Sequence, residues 1–231
     1  DSLCVCAVGV AIMSDHLNQP HRNDMDARIK ISIGTIQEGG DDGLFYEPRG
    51  LAFDHHRGLL MVADSFNHRV QVFSCDDEGF SFVSKLGEEG CQPGQLKYPS
   101  DLAIDHDHDR ILISDSINHR VQSWSLSNQS FLSCIGQQGS GDLEFNYPRG
   151  IAIDNHHRRI VIVDTDNNRL VFLSSIDLSF LFEIGKQGSR PGEFSTPSGI
   201  AIDHDRCRIV VSDSGNHRVQ VLSSIDGSFL L

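Results

Sequence analysis

The chain has 231 residues, enough for one sizeable core or a stack of small units, and its 39% hydrophobic and 22% charged content is that of a soluble globular protein. No apolar run approaches the roughly 20 residues that cross a bilayer, so no membrane span is expected. A formal net charge of −13 disfavours the phosphate neutralisation behind most nucleic-acid binding, although protonating the 12 histidines would erase most of that excess.

The chain opens on "DSLCVCAVGVAIMSD", which is apolar but has no preceding basic segment and no clear small-residue cleavage site. It is therefore expected to begin inside a fold and not as a signal peptide. Beyond it a long repeat takes over. "PRGLAFD" starts at Pro48, "PSDLAID" at Pro99, "PRGIAID" at Pro148 and "PSGIAID" at Pro197, giving steps of 51, 49 and 49 residues. The strings "DSFNHRVQ" at Asp64, "DSINHRVQ" at Asp115, "DTDNNRLV" at Asp164 and "DSGNHRVQ" at Asp213 keep the same steps, and a glycine closes an apolar run at Gly34, Gly87, Gly136 and Gly185. A fixed period near 50 residues usually dictates the whole architecture.

Within one unit, "GIAID" (199–203), "CRIVVSD" (207–213) and "HRVQVLS" (217–223) are short, β-branched and bounded by polar turns, and "FLFEIG" (180–185) supplies a fourth run. These read as antiparallel strands. A four-stranded sheet of this size cannot seal both faces alone, so successive sheets must stack, and radial stacking is a β-propeller. Phe45, Leu96, Phe145 and Phe194, each three residues before a repeat proline, are expected as wedges between blades.

Blocks of the form P-x-G-[IL]-A-[IF]-D followed by D-x-x-N-H-R-V-Q resemble NHL repeats over roughly residues 30 to 231. The chain reads Asn-His-Arg at 67–69, 118–120 and 216–218 and Asn-Asn-Arg at 167–169, a mild departure from the Asn-His-Leu that names the family. The expected architecture is an all-β propeller of about five units. These are a partial blade at 1–34, blades at 35–87, 88–136 and 137–185, and a blade at 186–231 lacking most of its last strand. Two forms fit the incomplete ends: a piece of a larger ring, or a ring that the N-terminal portion closes.

The repeated polar string is expected to be structural, since an active site is needed once and this group occurs in every blade. Asp64, Asp115, Asp164 and Asp213 would accept backbone N–H groups, and Asn67, Asn118, Asn167 and Asn216 would take the left-handed conformation. Arg69, Arg120, Arg169 and Arg218 would lie on the sheet with their guanidinium groups against the turn. A second polar cluster, "DHHRG" (54–58), "DHDHDR" (105–110), "DNHHRR" (154–159) and "DHDRC" (203–207), invites a metal reading. Stacked sheets about 10 Å apart let turns of separate blades share an ion only if their side chains reach the axis, so no metal or cofactor is expected; within one turn, His106 and His108 could form a two-ligand surface site.

Six cysteines, Cys4, Cys6, Cys75, Cys91, Cys134 and Cys207, fall at unlike points of the repeat with no C-x-x-C pair, and are read as free thiols of a cytoplasmic protein. The sequon Asn128-Gln129-Ser130 leans the other way.

Recognition is expected where the residues after each proline, Arg49, Ser100, Arg149 and Ser198, meet the turn tips Phe66, Ile117 and Asp166. The resemblance implies a non-enzymatic scaffold for protein–protein binding, such as the target-recognition part of a ubiquitin ligase, with any ligase activity outside this chain and no small-molecule substrate. Single-stranded RNA is the alternative partner, disfavoured by the acidic connections. A metal-dependent lyase- or lactonase-like enzyme is the third reading, disfavoured because the four blades offer nearly the same residues at each inner position.

Overall fold

A computed structural model describes residues 33–34, 38–76 and 79–230. The partial blade expected at 1–34 lies, but for its last two residues, outside them. Blade one comprises β1 (Pro48–Asp54), β2 (Leu59–Asp64), β3 (Arg69–Asp76) and β4 (Gly79–Leu86). Blade two comprises β5 (Pro99–Asp105), β6 (Arg110–Asp115), β7 (Arg120–Ser125) and β8 (Phe131–Ile135). Blade three has β9 (Pro148–Asp154), β10 (Arg159–Asp164), β11 (Arg169–Ser174) and β12 (Phe180–Ile184). Blade four has β13 (Pro197–Asp203), β14 (Arg208–Asp213) and β15 (Arg218–Ser223), with a single bridge from Leu222 to Phe229 beginning a fourth strand. The order is sequential and antiparallel in every sheet. The expected all-β propeller is what the chain forms.

Each first strand slips register directly after its proline, between Pro48 and Leu51, Pro99 and Leu102, Pro148 and Ile151, and Pro197 and Ile200. Such bulges bend a strand and strengthen its twist. First strands then pack against one another in chain order, β1 on β5, β5 on β9 and β9 on β13.

The interior is divided by the two-residue period of the strands. Met61 and Ala63 of β2 join Val70, Ile111 and Ile113 between blades one and two, while Leu60 and Val62 point the opposite way towards Phe73. Leu112 meets Ile160 and Ile162 between blades two and three, and Val161 and Val163 meet Ile209 and Val211 between blades three and four. Val219 is 61% exposed, whereas its counterparts Val70, Val121 and Leu170 are at most 2% exposed. Among the described residues, no blade packs on the far side of blade four.

Leu96, Phe145 and Phe194 are fully buried in these interfaces, and the half-buried Phe45 packs on Phe73. Their size explains the recurring glycines. At Gly136, with φ of +105°, an added Cβ would lie 2.6 Å from the Phe145 ring, and at Gly185 it would lie 2.6 Å from Phe194.

One carboxylate organises each joint between second and third strands. Oδ2 of Asp115 accepts from Asn118 (2.9 Å), Arg120 Nε (2.7 Å) and Gln122 (2.9 Å), while Oδ1 takes the backbone N–H of Lys97 (2.6 Å). Arg120 then donates to the carbonyls of Cys91, Gln92 and Gln95, and Asn118 to that of Gly90. The connection between blades is thereby tied to the sheet that follows it. Asp64 and Asp213 carry the same four donors; around Asp164, Val171 replaces the glutamine and three remain.

The left-handed residue of the joint is not the asparagine. His68, His119, Asn168 and His217 adopt it, at φ of +53° to +55°, one position after the asparagine. Each asparagine instead lies in the short turn, bridging the aspartate to a glycine carbonyl of the connection.

Replacing Asp115 by Ala strands a buried guanidinium and two amides, and should cost about 3–5 kcal/mol in a urea unfolding series. Replacing Arg218 by Met should cost less than Arg120→Met, because the Arg218 side chain is 28% exposed against 9% for Arg120. Equal losses from the two arginines would contradict this account of the joint.

Candidate interaction face

The turn tips and the connections meet at one end of the blades through paired backbone bonds. Phe66 N–H donates to the Tyr46 carbonyl, Ile117 to Lys97, Asp166 to Asn146 and Gly215 to Ser195, at 2.8–3.2 Å. The same four connection residues donate their N–H groups back to the joint aspartates.

Sequence reasoning missed the residue directly before each proline. Glu47, Tyr98, Tyr147 and Thr196 all have positive φ, between +44° and +54°. That region is disfavoured before proline and costs about 1–3 kcal/mol for a residue with a Cβ. A bond from the preceding blade holds three of them: Tyr98 N–H donates to His68 Nδ1 (3.1 Å), Tyr147 N–H to His119 Nδ1 (3.2 Å) and Thr196 N–H to Asn168 Oδ1 (2.8 Å). The left-handed residue of one joint therefore positions the entry to the next blade. The Tyr-Pro pairs at 98–99 and 147–148 were the available signal.

These constraints assemble a row of rings. Tyr46 and Phe66 have centroids 4.9 Å apart, Phe66 and Tyr98 4.7 Å, and Tyr98 and His68 4.7 Å; Tyr147 and His119 repeat the last contact at 4.8 Å. Tyr46 and Tyr147 are each 37% exposed, and Phe66 and Ile117 are half-buried. Asp166 and Arg49 are exposed, and Arg149 and Ser198 are half-buried. Ser100 departs from its expected place: it is 7% exposed, and Ser116 Oγ, which also donates to the Pro148 carbonyl, bonds its hydroxyl. That bond network turns Ser100 inward and removes it from the face.

Charge on the face is largely compensated. Arg49 lies 3.5 Å from Glu47. Burial depresses the Arg149 pKa, the like charge of Arg49 depresses it further, and Asp166 works in the opposite direction. Asp101 replaces the glycine found at 50, 150 and 199, and its carboxylate accepts the N–H groups of Leu102 (2.9 Å) and Ile151 (3.1 Å). The residue keeps some surface exposure, yet burial of its carboxyl pushes the pKa up to about 6.

At the opposite end, side chains from the turns of separate blades meet. The His56 and His106 rings are 4.5 Å apart, and those of His156 and His204 are 5.4 Å apart. Turn side chains reach along the junction towards each other, so the spacing of the sheets does not limit them. Among the described residues Cys75, Cys91, Cys134 and Cys207 are free thiols, and no helix is long and apolar enough to cross a membrane.

Sequential four-stranded blades with a loop face at one end define a repeat β-propeller. Residues 194–222 match the NHL repeat family model and residues 41–136 match a model described as a 6-bladed beta-propeller. The chain folds as a β-propeller and carries an NHL repeat at residues 194–222. It is similar to Protein brain tumor of Drosophila melanogaster (35% identical over 89 residues, 38% of this chain and 8% of that protein). It is also similar to NHL repeat-containing protein 2 of Gallus gallus (32% over 105 residues, 43% and 14%) and to peptidylglycine alpha-amidating monooxygenase of Rattus norvegicus (31% over 93 residues, 38% and 9%). The matched segments thus span less than a sixth of these relatives. In a solved nidogen/laminin complex a chain superposes with a TM-score of 0.61 at 18% identity, covering 77% of this chain and 61% of that one, a likeness of fold alone.

Protonated Asp101 is favoured in the folded state, so its contribution is complete below the unfolded value near 4 and is lost as pH rises through about 6. Stability of the parent relative to Asp101→Asn should therefore fall between pH 4 and pH 6 in paired urea titrations. A difference that stays flat across that window would refute the assignment.

Proposed function

We infer that the chain is a non-enzymatic scaffold whose connection-side face binds a protein partner. The observation that carries this reading is the row Tyr46, Phe66, Tyr98 and His68, with Ile117 and the Tyr147–His119 pair at equivalent places of the repeat. Half-buried rings held by backbone bonds present apolar area at low entropic cost, the character of interface anchors. Arg49, Arg149, Asp166 and Ser198 form the polar surround. Service as the target-recognition part of a ubiquitin ligase is the finer form of this reading, with the ligase chemistry supplied by other segments.

The same rings, with Arg49 and Arg149, also favour a second reading, a stacking platform for single-stranded RNA. Against it stand Glu47 beside Arg49, Asp166 near Arg149, and the acidic Glu38, Asp41, Asp42, Glu88, Glu89, Asp142, Glu144 and Glu193 of the connections. A lyase-like or lactonase-like enzyme would need unlike groups converging from several blades, and Asp101 is the main departure at the inner positions.

The test is to crosslink and identify a bound protein, then compare its affinity for the parent and for Phe66→Ser combined with Ile117→Ser. The expected loss is about thirtyfold, the effect of removing one strong anchor. Unchanged affinity would place the interface elsewhere. Tight, steeply salt-dependent binding of a labelled single-stranded RNA, lost in the same variant, would transfer the face to RNA.

A further inference from the structure

The end of the blades remote from the ring row carries a different constellation. His56, two residues past Asp54, reaches His106, one residue past Asp105 of the next blade. Donor atoms of Asp54, His56 and His106 all lie within 4.8 Å of one another, with Asp54 buried and both histidines exposed. His106 Nε2 is 3.9 Å from Asp54 Oδ1.

This junction differs from the two that follow it. Arg110 pairs with Asp105 and also donates to the Ser175 carbonyl of blade three. Arg159 likewise pairs with Asp154 and donates to the Ser224 carbonyl of blade four. At the corresponding place in blade one stands Leu59. The first junction therefore lacks the buried arginine clamp of the others. Its aspartate keeps only Arg57, 39% exposed, which bonds Asp54 Oδ2 (3.0 Å) and reaches Asp109 across the junction (3.3 Å). The N–H groups of His56 (2.9 Å) and Arg57 (3.1 Å) orient Asp54 Oδ1, as outer partners orient a metal-ligating carboxylate.

We propose that Asp54, His56 and His106 form a site for a divalent transition-metal ion of the zinc, cobalt or nickel class, which clasps blade one to blade two. Two imidazoles and one carboxylate suit these ions, whereas calcium and magnesium require oxygen ligands. Ligands about 2.1 Å from a tetrahedral ion stand roughly 3.4 Å apart, a distance that rotation of the two exposed rings can close. The fourth position is left to water.

The probe is cobalt, titrated into the purified chain after its thiols have been alkylated. One saturable equivalent is expected, with the weak visible band of nitrogen and oxygen ligation and a rise in Tm. His56→Gln and His106→Gln should each weaken binding at least about tenfold. Their metal-free unfolding should match that of the parent, since both side chains are exposed. His156→Gln, at the junction that has the arginine clamp, should bind as the parent does. The proposal fails if no saturable binding occurs, if both first-junction variants keep parental affinity, or if His156→Gln alone abolishes it.

Discussion

Every blade depends on apolar interiors that belong to two sheets at once. A strand such as β6 sends Ile111 and Ile113 to one neighbour and Leu112 to the other, so no sheet here can be sealed by its own residues. Each fully buried Ile, Leu, Val or Phe contributes about 1.5–3 kcal/mol, and every junction holds several. Ion pairs cannot compete with that sum, because desolvation offsets most of the attraction between buried charges. Cohesion comes from the shared interiors, and the polar joints determine placement.

The joints place the connections by saturating one carboxylate. With an arginine, an asparagine and a glutamine all aimed at Asp115, the connection that supplies the carbonyl acceptors has little freedom left. The local surroundings alter the balance between otherwise similar joints. Burial raises the Asp164 pKa despite its hydrogen bonds, and this is the joint that lacks a glutamine. At Asp213, on the less covered fourth blade, burial also works upward, but the N–H of Ser195, Asn216 and Arg218 outweigh it and the pKa is lowered.

The repeat exposed the architecture because its signals lie within one unit: strand lengths, the proline that opens β9, the glycine that closes β8. What it concealed lies between one unit and the next. His68 and Tyr98 are separated by 30 residues and bond only once two blades are adjacent. The offset that brings His56 to His106 equally depends on how one turn overhangs the next. The intrinsic tolerance of Asn67 points to a left-handed conformation there, yet the joint needs that side chain as a bridge to Gly39 and passes the strained position to His68. Its position directly after the proline points Ser100 to the loop face, and a hydroxyl partner on Ser116 draws it inward.

Departures from the repeat are the places where one junction acquires a property the others lack. Glycine at the third position of the first strand permits close approach; a Cβ on Gly150 would lie 2.6 Å from the Ser198 carbonyl of the next blade. Asp101 breaks that rule, and its carboxylate takes the N–H of Ile151, at the point where β9 resumes pairing after its bulge. The side chain thus binds where its neighbour is irregular, and burial of its carboxyl raises its pKa. Leu59 works in the reverse direction by removing the buried arginine and leaving Asp54 to the more exposed Arg57 and its histidine neighbours. In a fold whose blades are otherwise interchangeable, a single substitution is enough to give one junction its own chemistry, since the rest of the junction is already held by the shared interior.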